Sequence, residues 1–254
     1  MSIPFEPVIF GYEINIHLVL EYVAFFAGFR YYMYLRRNTK DLISTTNRLS
    51  IIIGAVFGAF LGSRVFGFLE QPQFISFTPD QIINLFTTKT IMGGLFGGLL
   101  GVELAKKLIE EKQSSGDLFT FPIILGIIIG RIGCFLSGVN DFTYGKETNS
   151  FFGMDLGDGI MRYPLALFEV LFLIVLWYVL KYVHIKLKPI DGYLFKYFMI
   201  SYFMFRFCIE FLKPNTFFML ELSSIQYLCI LCFVYYQRTI RRQIIYAYKT
   251  IHLL

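Results

Sequence analysis

The chain has 254 residues, of which 56% are hydrophobic, 16% are charged and 30 are phenylalanine. A soluble domain of this length cannot bury so much apolar surface, so the composition excludes an ordinary water-soluble protein and favours a lipid environment. The net charge of +5 comes largely from basic residues in short connections between apolar runs. This distribution is typical of membrane orientation and argues against a nucleic-acid partner.

Seven apolar runs predict membrane-spanning helices, because each is close to the roughly 20 residues that a helix needs to cross a bilayer. In chain order they are 14–35, 49–69, 91–109, 118–137, 164–182, 192–212 and 222–237. No repeat or linker interrupts them, so we expect a single transmembrane domain over 1–254, with a structured outer loop at 138–163. The expected fold class is all-α, as a polytopic membrane protein.

Basic residues are concentrated in every second connection between the apolar runs. The basic stretches are 36–48, 106–112, 181–188 and 238–249, and the poorly basic ones are 70–90, 138–163 and 213–221. Cytoplasmic loops of membrane proteins carry an excess of lysine and arginine, so this pattern predicts an outer N-terminus and a cytoplasmic C-terminus. The first residues lack the basic region of a cleavable signal peptide, so we expect the first helix to be retained.

Glycines recur every four residues within three of the apolar runs. They are Gly54, Gly58 and Gly62 in the second run, Gly93/Gly94, Gly97/Gly98 and Gly101 in the third, and Gly126 and Gly130 in the fourth. Small residues at this spacing allow membrane helices to approach closely. The pattern therefore predicts close helix packing and requires no further function.

Five ionisable side chains within the predicted spans stand out, because each costs about 2.5–3.5 kcal/mol to insert and normally marks function or an ion pair. They are Arg64, Arg131, Glu169, Arg206 and Glu210. In the sixth span, Tyr202, Arg206 and Glu210 are four residues apart and share one helix face. We therefore expect Glu210 to pair with Arg206 and to hold its guanidinium group.

The three arginines exceed the number that a single intrahelical ion pair requires. In the predicted topology, Arg64, Arg131 and Arg206 all fall in the outer half of the membrane. Guanidinium groups suit phosphate because they donate two parallel hydrogen bonds. We expect an anionic ligand, of which an acidic phospholipid headgroup is the obvious candidate. The alternative is that these charges form ion pairs with a structural role alone.

The cysteine and histidine residues indicate a functional site less clearly than the buried charges do. All four cysteines lie in apolar segments, and the pair Cys229 and Cys232 has no second pair or histidine nearby. We expect these thiols to serve packing, and we expect neither a metal ion nor a cofactor. His17 and Glu21 lie one helical turn apart in the first span. They form either a pair that transfers protons or a contact in which His17 lies at the membrane interface.

Several segments together resemble the prolipoprotein diacylglyceryl transferase family. They are LGSRVFGFLE around Arg64, GGLFGGLLGV at 93–102, GRIGCFLSG at 130–138 followed by Tyr144-Gly145, RYPLALFE at 162–169, YFMFRFCIEFLKP at 202–214, and Gln226. The resemblance implies a multi-pass, phosphatidylglycerol-dependent enzyme of the bacterial cytoplasmic (inner) membrane. Members of that family move the sn-1,2-diacylglyceryl group onto the lipobox cysteine of prolipoproteins and release glycerol phosphate.

The resemblance also implies catalytic roles for individual residues. Arg131 and Arg206 would bind the phosphate and stabilise its growing negative charge. Glu210 and Tyr202 would orient Arg206. These residues are therefore the expected centre of the site.

Other residues would shape the site around the lipid headgroup. Arg64 would contribute to substrate binding, and Gly138 and Gly145 would form the loop next to the headgroup. Glu169 would support the site as a carboxylate anchored on a helix. The acceptor thiol must also lose its proton before it attacks.

The chain departs from the family pattern at several polar positions. Met92 and Tyr163 stand where the family has histidines, Cys134 replaces an asparagine, Val19 is nearest to an expected tyrosine, and Leu165-Ala166 replaces a polar pair. Two alternatives therefore stay open. One is a diverged lipid-dependent transferase with another acceptor, and the other is a non-catalytic protein that binds or transports anionic lipid.

The missing histidine at position 92 predicts a slow enzyme. Loss of a positioned general base costs about 10²–10⁴ in rate, so we expect transfer to ordinary prolipoprotein cysteines to be retained but slow. A buried carboxylate can replace a histidine as base when burial raises its proton affinity. Glu21 and Glu169 are the candidates for that replacement.

Overall fold

The computed structural model describes residues 3–39, 41–70, 88–187, 192–214 and 218–251. Most of these residues lie in eight α-helices, in agreement with the expected all-α class. In chain order the helices are α1 (Ile16–Asn38), α2 (Thr45–Leu69), α3 (Ile91–Leu108), α4 (Asp117–Ser137), α5 (Leu165–Leu187), α6 (Tyr193–Ile209), α7 (Ser224–Tyr235) and α8 (Gln237–Ile251). The seven apolar runs coincide with α1 to α7 to within five residues at each end. Most of the predicted loop 70–90 lies outside the described residues.

Three of the described helical segments are long and apolar enough to cross a membrane: Thr45–Leu69, Asp117–Asn140 and Leu165–Lys186. Helix α7 is apolar but shorter. Large apolar side chains also point outward, and those of Phe25, Phe57 and Tyr178 are each more than 60% exposed. Such a surface is a liability in water and is typical of a protein that contacts lipid.

The start of α2 corrects one prediction. The second span was expected to begin at residue 49, with Arg48 in a basic connection, but the helix begins at Thr45. The hydroxyl of Ser44 caps it by accepting a hydrogen bond from the backbone N–H of Asn47 at 3.2 Å. Side-chain caps of this kind satisfy a backbone donor that has no partner within the helix. Arg48 therefore belongs to the first turn and is buried.

Contacts within the chain define two compact units. The first unit comprises 1–42, 114–198 and 211–214, and the second comprises 43–113, 199–210 and 215–254. The first unit therefore contains α1, α4 and α5, and the second contains α2, α3, α7, α8 and most of α6.

In the first unit, α1 packs along α4 and α4 packs against α5. Stacked rings of Tyr32 and Phe119, with centroids 4.5 Å apart, join the first pair of helices. The carboxylate of Asp117 accepts hydrogen bonds from the backbone N–H groups of Gly192 and Phe195, at 2.7 and 3.0 Å. These bonds hold the start of α6 against the start of α4. Hydrogen bonds to a charged acceptor are stronger than those between neutral groups, so Asp117 stabilises this contact between α4 and α6.

The segment 138–163 follows α4 and is held by short hydrogen bonds. It contains the antiparallel strands β3 (Met154–Asp155) and β4 (Met161–Arg162), while β1 (Val8–Ile9) pairs with β2 (Tyr12–Glu13) before α1. Arg162 donates to Asp158 at 2.8 Å and lies 5.0 Å from the ring centre of Tyr144. The Arg162 guanidinium lowers the pKa of the Asp158 carboxyl below its ordinary value.

In the second unit, α2 and α3 pack through the glycines singled out in the sequence. A Cβ atom at Gly58 would overlap the carbonyl oxygen of Gly97, and one at Gly62 would overlap that of Gly93. The prediction of close helix packing is therefore confirmed for this pair. Direct backbone contact is possible only because neither partner carries a side chain. The prediction is wrong for Gly130 of α4, where a Cβ atom would meet nothing within 4 Å among the described residues.

Helix α8 was not predicted as a separate element. The sequence predicts a basic tail in this part of the chain, whereas the backbone is helical over Gln237–Ile251. Its charges, Arg238, Arg241 and Arg242, recur at helical spacing and leave apolar residues on other positions. A search for long apolar runs misses such a helix, because only one face is apolar.

Candidate active site

Arg131 and Glu169 form an ion pair in the first unit. Arg131 lies near the end of α4 and Glu169 in the second turn of α5, and Nε of the arginine is 2.8 Å from Oε1 of the glutamate. Both side chains are buried, at 7% and 1% exposure. Each charge therefore compensates the other, and removal of one partner from such a pair costs about 3–5 kcal/mol. The contact fixes the orientation of the guanidinium.

Arg206 and Glu210 form the ion pair that their four-residue spacing predicted. Nη2 of Arg206 donates to Oε2 of Glu210 at 3.0 Å, and both residues are buried. Arg206 lies in the last turn of α6, and Glu210 begins the 3₁₀ turn Glu210–Leu212. The change from α to 3₁₀ geometry leaves the pair intact. Tyr202, one turn earlier, is completely buried.

The end of α6 is anchored by Gln226, which the family resemblance had marked. Its side-chain nitrogen donates to the carbonyl oxygen of Phe207 at 3.1 Å, and its side-chain oxygen accepts from the backbone N–H of Ser223 at 2.8 Å. Together with the Ser223 hydroxyl, these bonds form a capping box at the start of α7. Gln226 therefore connects the segment that carries Arg206 to the next helix.

Arg64 ties the end of α2 to the segment before α3. Its Nη1 donates to the carbonyl oxygen of Thr88 at 2.9 Å, and its guanidinium carbon lies 5.5 Å from the ring centre of Phe60. These contacts give the side chain a structural function within the second unit. Its predicted contribution to ligand binding stays a prediction.

Gly138 and Gly145 occupy positions that no other residue fits. Gly138 has φ +55° and ψ −128°, and a Cβ atom there would overlap the carbonyl oxygen of Leu156. Gly145 donates its N–H to the carbonyl oxygen of Tyr163 at 2.9 Å, and its Cβ would lie 2.6 Å from that of Tyr163. Glycine is required at the first position by conformation and at the second by close approach. Both residues therefore shape the loop that follows α4.

Three side chains beside Arg131 were not recognised as a cluster in the sequence: His17, Cys134 and Asp141. The Cys134 sulfur lies 3.8 Å from Nη1 of Arg131 and 3.6 Å from Nε2 of His17. The same Nε2 atom is 3.9 Å from Oδ2 of Asp141. Cys134, which was expected to serve packing alone, therefore lies within a polar cluster. In the sequence, Asp141 was the residue that could have indicated this cluster, because it closely follows the GRIGCFLSG segment.

Helix packing brings His17 to this cluster. Its ring lies against Gly133 of α4, where a Cβ atom would be 3.2 Å from Cδ2 of the imidazole. His17 is the second residue of α1, whose start is capped by Asn15 through a 3.0 Å bond from the N–H of Leu18. The glycine thus admits the ring, and the cap fixes the helix end that carries it.

The chemistry of the cluster follows from its charges. The ligand atoms of His17, Cys134 and Asp141 all lie within 4.8 Å of one another, a spacing that a metal ion can bridge. The Arg131 guanidinium beside the sulfur opposes a divalent cation there, because like charges repel strongly at a partly buried site. Imidazole and carboxylate at this distance are better suited to moving a proton.

A cavity of about 290 Å³ opens on one side of this cluster. His17 and Asp141 contribute to its wall, together with Ser137 and Asn140. Its volume lies near the lower end of ligand-sized pockets, which run from roughly 300 to 1,000 Å³. The space therefore admits a small group to the imidazole.

Comparison with known proteins identifies related sequences along most of the chain. A sequence model of the family described as prolipoprotein diacylglyceryl transferase matches residues 7–239. The chain is 32% identical to the phosphatidylglycerol–prolipoprotein diacylglyceryl transferase of Rickettsia felis over 207 residues, which cover 76% of this chain and 77% of the relative. The enzyme of that name from Pasteurella multocida is 33% identical over 224 residues, with 82% and 79% covered. The one from Campylobacter curvus is 29% identical over 251 residues, with 90% of each chain covered.

Proposed function

Because the chain belongs to the prolipoprotein diacylglyceryl transferase family, we propose that it transfers the diacylglyceryl group of phosphatidylglycerol to the thiol of a prolipoprotein cysteine. A carbon–sulfur bond forms as the bond between the glyceryl carbon and the phosphate oxygen breaks, and glycerol phosphate leaves. The names of the relatives support this substrate pair. The observation that carries the proposal is the buried contact between Arg131 and Glu169.

Arg131 is the residue that we assign to the phosphate in the first unit. The departing group gains negative charge in the transition state, and a donor already fixed in place stabilises that charge without reorganising. The 2.8 Å contact with Glu169 supplies this fixation inside an apolar pair of helices. A low local dielectric strengthens the interaction between guanidinium and phosphate.

Arg206 is the corresponding residue in the second unit, held by Glu210 at 3.0 Å. We assign it to phosphate binding, with Glu210 and the buried Tyr202 keeping its side chain in position. Arg64 contributes its charge to substrate binding while it holds the segment at Thr88. Gly138 and Gly145 belong to the first unit, where they keep the loop after α4 compact.

The protein lies in the bacterial inner membrane in this proposal, with α1 to α7 as seven spans, the N-terminus outside and the C-terminus in the cytoplasm. The alternating basic connections support this orientation, and the outward-facing aromatic side chains support contact with lipid. Reporter fusions after Lys40, Lys112, Lys188 and Lys249 test it, since all four should report the cytoplasm. A fusion near Lys146 should report the outside, and a cytoplasmic signal there would overturn the orientation.

The activity is tested with purified protein, liposomes that contain phosphatidylglycerol, and a lipobox peptide. Mass spectrometry should detect the peptide with an added diacylglyceryl group, and Arg206→Ala should abolish this product. Arg206→Lys should fail as well if two parallel bonds to phosphate are needed. The exposed Arg37 provides the control, because Arg37→Ala should leave transfer unchanged.

The same assay separates the two other functions that the sequence left open. Transfer to a different thiol, with none to the lipobox peptide, would indicate a diverged transferase. Binding of phosphatidylglycerol without transfer to any thiol would indicate a binding or transport protein. Met92 is the observation behind these alternatives, because it is completely buried at the position where the family carries a histidine.

A further inference from the structure

Transfer requires a group that takes the proton of the acceptor thiol, since the thiolate is the attacking species. Met92 has no ionisable group, and Glu169 is engaged with Arg131. Of the two histidines that the structure describes, His17 and His184, His17 lies in the cluster beside Arg131. We propose that His17 is the catalytic base, and that the cavity beside it receives the acceptor cysteine. This inference rests on the proposed transferase function.

The contacts of the imidazole determine which nitrogen acts. Nε2 faces Asp141 at 3.9 Å and the Cys134 sulfur at 3.6 Å. Nδ1 makes no hydrogen bond to any part of the chain that the structure describes, and the side chain is 26% exposed. A hydrogen on Nε2 is attracted to the carboxylate and leaves Nδ1 as the acceptor, because a neutral imidazole has one donor and one acceptor nitrogen. The thiol therefore meets Nδ1.

The cavity suits a thiol better than a phosphate. It has a volume of about 290 Å³, enough for a cysteine side chain and the adjoining peptide groups. Glu6 and Glu13 also line it, and Glu6 accepts a 2.7 Å hydrogen bond from Asn140. Carboxylates repel an anionic headgroup but not a neutral thiol. The lipid phosphate is thus expected on the arginine side of the cluster.

The step is balanced without any additional reactant. The thiol proton moves to Nδ1 of His17, and the sulfur electron pair forms the bond to the glyceryl carbon. The electron pair of the breaking carbon–oxygen bond leaves on glycerol phosphate. Asp141 offsets the positive charge of the imidazolium that forms, as carboxylates do for catalytic histidines. The imidazolium then returns its proton to water or to the released phosphate.

The test compares His17→Gln with His184→Gln, whose histidine lies at the far end of α5 and outside the cluster. Both variants are reconstituted in phosphatidylcholine liposomes with added phosphatidylglycerol, and transfer to a lipobox peptide is measured across a range of pH. His17→Gln should lower the rate near neutral pH by about 10²–10⁴. Its residual rate should rise tenfold per pH unit as hydroxide replaces the base. His184→Gln should match the natural sequence.

A second pair of measurements excludes a structural explanation. His17→Ala should recover activity when free imidazole is added, which damage to the fold would not allow. Asp141→Asn should lower the rate by about tenfold, because the imidazolium loses the compensating charge that lies 3.9 Å away. Binding of phosphatidylglycerol, measured by the intensity change of a fluorescent analogue, should be retained in all of these variants.

Three results would overturn the proposal, and they have different consequences for the transferase function. If the natural sequence transfers lipid and His17→Gln stays within threefold of it over the whole pH range, His17 is not the base and the transferase function stands. If the natural sequence transfers lipid to no thiol, the base and the transferase function fail together. Loss of phosphatidylglycerol binding in His17→Gln, without imidazole rescue of His17→Ala, would assign His17 to structure and would also overturn the proposal.

Discussion

Helix pairs α2–α3 and α1–α4 solve the problem of close packing in different ways. In α2–α3, Gly58 and Gly97 remove both side chains so that the two backbones touch. In α1–α4, Gly133 removes one side chain so that the ring of His17 can fit. The first arrangement gains dispersion contacts along a smooth surface. In the α1–α4 pair the space is filled by a polar side chain, which makes this pair a candidate for a catalytic or binding site.

The two helix pairs also differ in the free-energy cost of the groups that they bury. Backbone contact between glycines buries no charge and needs no compensation. The α4 side of the second pair carries Arg131, which requires Glu169 of α5 to offset its burial. A buried charge destabilises a helical protein unless it is compensated, and it normally marks a functional site. The α1–α4 pair is therefore the better candidate for function.

Arg131→Ala should have the largest effect. It should reduce transfer at least 10²–10³-fold, as removal of a fixed donor to a developing oxyanion does. It should also destabilise the fold by about 3–5 kcal/mol, because the buried Glu169 loses its partner. Transfer assays and thermal unfolding in detergent measure the two effects.

Replacing both members of this pair separates stability from function. The double variant Arg131→Met with Glu169→Leu should unfold close to the natural temperature, since an apolar pair of similar volume removes the unpaired charge. It should remain inactive. Recovery of transfer in this variant would show that the pair has a structural function alone.

Gly58→Ala and the control Gly130→Ala test the glycine packing between α2 and α3. The added methyl at Gly58 overlaps the backbone of Gly97, whereas at Gly130 it meets nothing within 4 Å. Gly58→Ala should destabilise the protein by about 1–3 kcal/mol through overpacking. Gly130→Ala should be neutral or stabilising by up to about 1 kcal/mol, because alanine favours the helix. Equal unfolding temperatures for the two variants would contradict the packing described for α2 and α3.

Met92→His tests whether the family position still matters. Met92 is completely buried in α3, so an imidazole there should destabilise the fold by about 1–3 kcal/mol. If His17 is the base, the rate of transfer should change less than tenfold. Met92→Leu is the control, because it conserves volume without adding a polar group. A rate increase of tenfold or more for the histidine variant would indicate that the base is missing in the natural chain.

Asp158→Asn should have the smallest effect, confined to the loop between α4 and α5. The lowered pKa of Asp158 means that its bond to Arg162 is fully present above the ordinary aspartate pKa and is lost as pH falls through the lower native value. Hydrogen exchange at the N–H of Ile160, which bonds to the same carboxylate at 3.2 Å, should report this loss. In Asp158→Asn, Ile160 should exchange faster at neutral pH, while lipid transfer stays unchanged. Unaltered exchange would show that Arg162 does not hold the loop.

Local patterns in the sequence were enough for part of the fold and of the site. Apolar runs located α1 to α7, since long continuous runs of apolar residues favour helices over strands. The spacing of Arg206 and Glu210 predicted their ion pair, because four residues make one helical turn. The glycine pattern predicted close packing but did not identify α2 and α3 as partners. These features depend on neighbours along the chain.

Contacts between helices that are distant in the sequence determine which polar groups meet. His17 and Cys134 are 117 residues apart, and no periodicity relates them. Their contact exists because α1 packs along α4 with Gly133 between them. Arg131 and Glu169 likewise lie on different helices, and each looked like an isolated buried charge in the sequence. Hydropathy and spacing specify which residues enter the helices, whereas side-chain packing between distant helices decides which of them can share a charge or a proton.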